Sequence, residues 1–173
     1  MCSIKQCVLV RPGDDVSQQW RRDGRDQYKH YLQIPTRWMD NELYVHVNNV
    51  NYYSFFDTVI GRYLIEAAGF DIAKDPVVGF AVESSCSYFK PLSFPQAVDA
   101  GLRVAHLGHT SARYEVGLFR ENDDDPAAAG YFVHVFVNRS TDAPCELPPN
   151  IRKALEAISY KFSQTPPGQR LFS

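Results

Sequence analysis

The stretch Arg37 to Ala68, RWMDNELYVHVNNVNYYSFFDTVIGRYLIEAA, constrains the fold more than any other part of the chain. It opens as a polar loop carrying carboxylates, a histidine and asparagines. From Asn49 onward the spacing predicts a helix of about 20 residues, roughly 30 Å long at helical rise. Tyr52, Tyr53, Phe56, Val59, Ile60, Tyr63, Leu64 and Ala67 recur every three or four residues and make one wide apolar face. Asn51, Ser54, Asp57, Thr58, Gly61, Arg62 and Glu66 fall mainly on the other side, where Phe55 and Ile65 interrupt them. A helix this aromatic needs a sheet to wrap it.

The chain beyond the helix can supply that sheet. Gly69-Phe70-Asp71 stops the helix and Asp75-Pro76 turns the chain. Strands are then predicted over 77–89, 97–107, a third entered through Gly108-His109-Thr110, and 128–139, with no helix between them. Val98, Ala100, Leu102 and Val104 alternate against Asp99, Gly101 and Arg103 in the second. Ala112, Tyr114, Val116 and Leu118 oppose Arg113, Glu115 and Phe119 in the third. The fourth is apolar on both faces around 132–137, which places it centrally. Ahead of the helix, Leu32, Ile34, Thr36 and Trp38 share one strand face, and Pro35 assigns that strand to an edge or a strand end. Pro148-Pro149 introduces a short closing helix with Ile151, Ala154, Leu155 and Ile158 at helical spacing. Strand, long helix, four antiparallel strands and short helix make an α+β domain.

Bulk properties narrow the function classes. At 173 residues the chain suits one domain, and 45% hydrophobic with 22% charged residues is ordinary for a globular protein. A net charge of −2 without a basic run argues against nucleic acid as a partner. No apolar stretch approaches the ~18 residues of a membrane span. Cys2, Cys7, Cys86 and Cys145 are scattered, without a CxxC pair, and read as free thiols in a reducing compartment. Residues 1–29 mix both charges without a period and read as a flexible extension ahead of a domain at 30–160, with 161–173 as a tail. Arg21, Arg22 and Arg25 hint at mitochondrial targeting, but Asp14, Asp15, Asp23 and Asp26 spoil the acid-poor half of that signal. A cytoplasmic location is the expectation.

The loop before the helix is where chemistry could sit. Asn48 or Asn49 can cap the helix through its side-chain oxygen. The remaining free N–H groups carry roughly half a positive charge and would polarise a carbonyl or hold an oxyanion. A carboxylate just upstream, Asp40 or Glu42, could face the same carbonyl, an arrangement suited to acyl transfer. Capped helices after acidic loops are common, so these residues alone do not decide the matter.

A longer pattern does more. Arg37-Trp38-Met39-Asp40-Asn41-Glu42, then His46-Val47-Asn48-Asn49, then Tyr52-Tyr53, resembles the signature of hotdog-fold acyl-CoA thioesterases of the 4-hydroxybenzoyl-CoA thioesterase type. The resemblance continues through Phe89-Lys90-Pro91-Leu92, Arg113-Tyr114-Glu115 and Phe132 to Val137, covering about 30–160. Two positions depart from it: the family's second aspartate is Glu42 here, and its glycine is Val45.

The resemblance implies a hotdog fold, a curved antiparallel sheet around the central helix, and a homodimer or homotetramer acting on acyl-CoA. Glu42 takes the place of the catalytic base or nucleophile, with about 1.5 Å more reach than aspartate. Asp40 takes the first aspartate's place and is expected to hold the loop through backbone N–H groups or Arg37, a turn aspartate's habit, or else to take over as base. His46 would orient the carboxylate or the thioester, or satisfy backbone carbonyls. The Asn49 N–H would point at the thioester carbonyl, and Asn48 and Tyr53 join it as substrate-binding candidates. Glycine at position 45 would suit a left-handed backbone, which costs a β-branched residue roughly 1–2 kcal/mol. The valine therefore implies either that the position is not left-handed or that the loop is altered. Lys90, Arg103, Arg113 and Arg139 are candidates to hold a nucleotide phosphate, surface ion pairs being the plainer account. His106 and His109 lack a third ligand nearby and read as exposed turn residues, so no metal and no redox cofactor is expected. A binding protein for acyl-CoA or acyl carriers, its turnover lost, is the alternative reading. An acyl hydratase of the same fold would want an Asp–His pair along the helix, and none is evident in the sequence.

Overall fold

The computed structural model describes residues 15–160, with side chains from residue 19 onward. The expected tail at 161–173 and the opening segment with Cys2, Cys7 and Asp14 lie outside the described residues. In chain order the elements are α1 (Asp15–Arg22), β1 (His30–Pro35), α2 (Asn49–Ala68), β2 (Val77–Tyr88), β3 (Ala97–Leu107), β4 (Ser111–Arg120), β5 (Ala128–Asn138) and α3 (Pro149–Ala157). The five strands form one antiparallel sheet in the order β1-β3-β4-β5-β2.

Helix α2 lies on one face of the sheet. It buries Tyr52, Phe55, Phe56, Val59, Ile60, Tyr63 and Leu64 against Val98, Ala100, Leu102, Val104, Tyr114, Val116, Phe132 and Phe136. At about 1.5–3 kcal/mol per large buried side chain, this stripe is the main source of stability. Phe55, expected off the apolar face, is 5% exposed, whereas Ala67 near the helix end is exposed. Gly69 ends the helix in the left-handed region at φ 66°, and the N–H groups of Gly69 and Phe70 reach back to Ile65 and Leu64. Helix α3 closes one end, where the Tyr63 hydroxyl donates to the Ala154 carbonyl at 2.6 Å.

β5, expected to be central, is an interior strand paired with β4 on one side and the edge strand β2 on the other, and β4 is the middle strand. The sheet's edges are β1, which ends at Pro35 as its proline requires, and β2. Trp38 does not continue β1. It lies in a 3-10 turn, Trp38–Asp40, and is 81% exposed, because Asp40 accepts the Arg37 N–H and bends the chain there.

The opposite face of the sheet is covered as well, by residues expected to belong to a flexible extension. Trp20 of α1 is 4% exposed and packs on Tyr131 at 5.8 Å. Tyr28 sits over Gly101 and Gly117, where a Cβ would approach its ring to 2.8 and 2.6 Å. Glycine at both positions is what admits the ring. Beside it, Arg103 donates to Glu115 at 2.8 Å and to Asp23 at 2.6 Å. A residue expected to face outward from an alternating strand is thus 1% exposed. Burial opposes its charge, but the neighbouring carboxylates hold its pKa above the ordinary arginine range.

Candidate active site

Asp40 organises the loop that leads into α2. One carboxylate oxygen accepts the Arg37 N–H at 2.6 Å; the other accepts the Arg37 guanidinium at 2.8 and 3.1 Å. The group is 1% exposed. Burial would push its pKa up, yet the hydrogen bonds and charge of Arg37 hold it below the ordinary carboxylate value. Its backbone carbonyl accepts the Asn48 N–H at 2.8 Å and the Asn51 side chain at 2.9 Å, so the same residue anchors the start of the helix. Both oxygens of Asp40 are committed to holding the chain.

Beyond Asp40 the backbone makes a tight reversal. The Glu42 N–H donates to the His46 carbonyl at 2.8 Å, and the Val45 N–H to the Glu42 carbonyl at 3.0 Å. This is a three-residue hairpin loop whose last residue must turn left-handed. Val45 does so, at φ 66°. The first expectation for this position fails: the backbone is left-handed, and the hairpin carries a valine in that conformation. The constraint is the hairpin, which fixes residue 45 whatever its side chain. Asn41 ties the loop to the β2–β3 connection, its side-chain oxygen accepting the Phe94 N–H at 3.1 Å. The Val47 N–H donates to the Leu92 carbonyl at 2.8 Å.

A cavity of about 730 Å³ opens in front of this loop, lined by Trp38, Asn41, Glu42, Leu43, Tyr44, Val45, Asn48 and Phe94. Glu42 is exposed, and no hydrogen bond or ion pair reaches its carboxylate among the described residues. Its charge is felt by the buried Tyr52 hydroxyl, whose pKa burial raises. Asn48 is the cap, accepting the Val50 N–H on its side chain at 3.2 Å, and its carbonyl takes the Asn51 N–H at 2.9 Å. Asn49 is the first helical residue, exposed at the positive end of α2. His46 is half-buried and does not line the cavity.

The basic candidates lie elsewhere. Lys90 is paired with Asp123 at 2.8 Å and Asp125 at 3.4 Å. Arg103 is locked into the far face of the sheet. Arg113 stacks over the Tyr131 ring at 3.6 Å, and Arg139 donates to the carbonyls of Ile72 and Asp75. None of the four lines the cavity, because each already has a partner supplied by the fold. Tyr53 is half-buried and stacks on Phe132 at 6.1 Å, so it belongs to the helix–sheet packing. His106 and His109 are exposed beside the β3–β4 turn. Among the described residues no three His, Cys, Asp or Glu side chains gather as a metal site. Cys86 and Cys145 are free thiols, and burial pushes that of Cys86 up to about 12. No described helix is long and apolar enough to cross a membrane.

Sequence reasoning missed Phe94, which lies far along the chain and meets Trp38 edge-on at 5.8 Å. It also missed Asn41 and Asn51, whose side chains pin the loop. Nothing in their spacing marks these roles.

A family model described as the thioesterase superfamily matches residues 44–127. Among solved structures, the PA5185 protein of Pseudomonas aeruginosa is 51% identical over 79% of this chain and 95% of its own, with a TM-score of 0.78. The gentisyl-coenzyme A thioesterase BH1999 is 22% identical over 73% of this chain and 99% of its own, with a TM-score of 0.65. The DHNA-CoA thioesterase of Staphylococcus aureus is 20% identical over 73% of this chain and 87% of its own, with a TM-score of 0.66. The last two likenesses show a shared fold. No curated protein matches the sequence. The chain is a member of the thioesterase superfamily, and its five-stranded antiparallel sheet around one central helix is the hotdog fold.

Proposed function

We propose that the chain hydrolyses an acyl-CoA thioester to the free acid and CoA, with Glu42 as the reacting carboxylate. The observation that carries this reading is the contrast within one loop: Asp40 is buried and tied to Arg37, while Glu42 is exposed on the cavity wall without a partner. A carboxylate engaged by a guanidinium is a poor base. One facing open space beside a helix N-terminus can take a proton from water. The water attacks the thioester carbonyl, and the developing oxyanion is met by the Asn49 N–H at the positive end of α2. The carbon–sulfur bond then breaks, the CoA thiolate leaving and regaining the proton that Glu42 took. Direct attack by Glu42, giving a mixed anhydride that water cleaves, uses the same geometry. The thioesters acted on by the CoA thioesterases of this fold support CoA as the thiol.

The chain acts as a homo-oligomer in this reading. Its sheets join through β2, an edge strand presenting Phe80, Val82 and Tyr88 to solvent at 49%, 61% and 43% exposure. β5 is enclosed between β4 and β2 and has no free side. A monomer by light scattering at micromolar concentration would contradict this assembly.

The deciding experiment is free-thiol release from a short panel of acyl-CoAs. Turnover that disappears in Glu42→Gln supports the enzyme. Binding of the same acyl-CoAs without thiol release would favour the second reading, a binding protein with the pocket and no turnover, which the two departures at Glu42 and Val45 keep in play.

A further inference from the structure

A second cavity, of about 340 Å³, lies between the middle of α2 and the start of β2, with Asp57, Gly61, Leu64, Val78, Phe80 and His134 among its walls. His134 stands between Phe132 and Phe136 on β5 and shares their helix-facing side of the sheet. It is 8% exposed, and neither ring nitrogen has a hydrogen-bond partner among the described residues. Its ring contacts are Tyr114 at 5.0 Å and Phe132 at 6.0 Å. Nearly all buried polar atoms in proteins are partnered, so an imidazole with both nitrogens unanswered beside a cavity points to a ligand group. Burial lowers its pKa and Asp57 pulls the other way, with burial prevailing. The neutral ring offers one donor and one acceptor.

Gly61 is the second sign. A glycine in the middle of a helix is unfavourable relative to alanine. Here a Cβ would meet nothing within 4 Å, so packing does not demand the glycine. What its absent side chain leaves is room beside the cavity. At about 340 Å³ the cavity has space for part of an acyl chain, and Arg139 and Asp142 add charged groups to its apolar walls.

Helix α2 and strand β2 both reach from the loop's end of the domain to this cavity. Tyr88 at the end of β2 meets Tyr52 in the first turn of α2 at 5.0 Å, while Val78 and Phe80 near the start of β2 line the same cavity as Gly61. Helix and strand therefore run side by side from one cavity towards the other. At 1.5 Å per residue, Asp57 to Gly61 lies about 12–18 Å along the axis from Asn49. An extended chain covers about 1.2 Å per bond, a third of the span of a three-bond residue. Ten to fifteen bonds, roughly, would join the two sites.

We propose that His134 is a specificity-determining residue, reading a hydroxyl group near the far end of a medium to long acyl chain, with Gly61 leaving the space for that end. This rests on the thioesterase reading above, which places the thioester at the start of α2. Of the groups an imidazole could hold, a hydroxyl answers both a donor and an acceptor, whereas a plain methyl end answers neither.

The test compares dodecanoyl-CoA with 12-hydroxydodecanoyl-CoA in wild type, His134→Phe and Gly61→Leu. Wild type should prefer the hydroxylated thioester by about tenfold in kcat/KM, the worth of one good hydrogen bond. In His134→Phe the ratio should fall to about one, and Gly61→Leu should lose the preference while melting no lower than wild type. A merely structural histidine would lower both substrates together and leave their ratio unchanged, which would overturn the proposal. So would equal use of the two thioesters by wild type. If neither is hydrolysed, the thioesterase reading fails by itself, and calorimetry with dodecanoate and 12-hydroxydodecanoate still decides about His134. Tighter binding of the hydroxy acid, lost in His134→Phe, sustains the pocket assignment, and equal binding removes it.

Discussion

The two faces of the sheet both hold carboxylates, and they hold them in opposite ways. On the outer face Asp23 and Glu115 converge on one buried arginine, with side chains 12% and 6% exposed. At the start of the helix on the inner face, Asp40 is tied down in the same manner, but its neighbour Glu42 is left exposed and unpaired. The difference teaches that a carboxylate's partner sets its work. A paired acid holds two segments together and can do little else. The unpaired one keeps its lone pairs for substrate, at the cost of adding nothing to the fold.

The sharpest way to break this contrast is Glu42→Gln. It should lower kcat/KM for an acyl-CoA by about 10²–10⁴-fold, the usual contribution of a positioned acid or base. Because the carboxylate has no partner, the melting temperature should hardly move. A variant that loses stability but keeps its turnover would reverse the assignment.

Arg103→Met tests the other face. Removing the cation leaves Asp23 without its partner and Glu115 with only the more distant Arg113 at 4.0 Å, and breaking a buried pair typically costs about 3–5 kcal/mol. At about 2–4 °C per kcal/mol for a chain of this size, Tm should fall by about 6–20 °C. Per folded molecule, turnover should stay at the wild-type level, since Arg103 lies on the far side of the sheet from the cavity. A selective rise in KM for acyl-CoA would instead restore Arg103 as a phosphate holder.

The inner face was far more legible in the sequence than the outer. A twenty-residue period ending in Gly69 announces α2, and alternation announces β3 and β4 almost to the residue. Local periodicity reports which side of an element is apolar, and α2 and the sheet satisfy each other through those sides. Arg103 escaped because alternation labels its side as polar, and a polar side is assumed wet. Only the tertiary arrival of Tyr28 and Asp23 makes it dry. For Lys90 the plainer account, an ion pair, is the one found, its partners lying in an acidic turn at 123–125 more than thirty residues further along the chain. In the loop, residue types and spacing brought Asp40 and Glu42 into view together. What separates them is Arg37, which reaches Asp40 and not Glu42; the resemblance offered that pairing as one of two roles for Asp40, and side-chain geometry is what chooses it.

Asp40→Asn sharpens the comparison inside the loop. The neutral amide cannot take the guanidinium as an ion pair, and loss of these buried hydrogen bonds should cost about 1–3 kcal/mol. The direction of the shift sets the pH dependence: the folded group titrates below the ordinary value near 3.9. Its contribution is therefore whole above pH about 4 and is lost as pH falls through the lower folded value. The difference in Tm between wild type and Asp40→Asn should be steady near neutrality and shrink in acid. A difference that grows in acid would mean that Asp40 titrates high, as a catalytic acid in a dry pocket does.

Val45 gives the smallest effect and the finest test. Its left-handed backbone costs a β-branched residue about 1–2 kcal/mol, while a glycine there would give back about 0.5–1 kcal/mol in chain entropy. Val45→Gly should therefore stabilise the protein by about 0.5–1 kcal/mol, a rise in Tm of a few degrees at most. Had valine shifted the loop, shortening the acid by Glu42→Asp would be compensated by the glycine, and the two changes would couple. The hairpin bonds between Glu42 and His46 and between Val45 and Glu42 are closed with the valine in place. In a double-mutant cycle on kcat/KM, Glu42→Asp should lower turnover by shortening the reach, and Val45→Gly should leave that loss in place. Their effects should add to within about 0.5 kcal/mol. Recovery of turnover in the double variant would show that valine and glutamate form a compensated pair, and that the loop moves to let the longer acid reach its carbonyl.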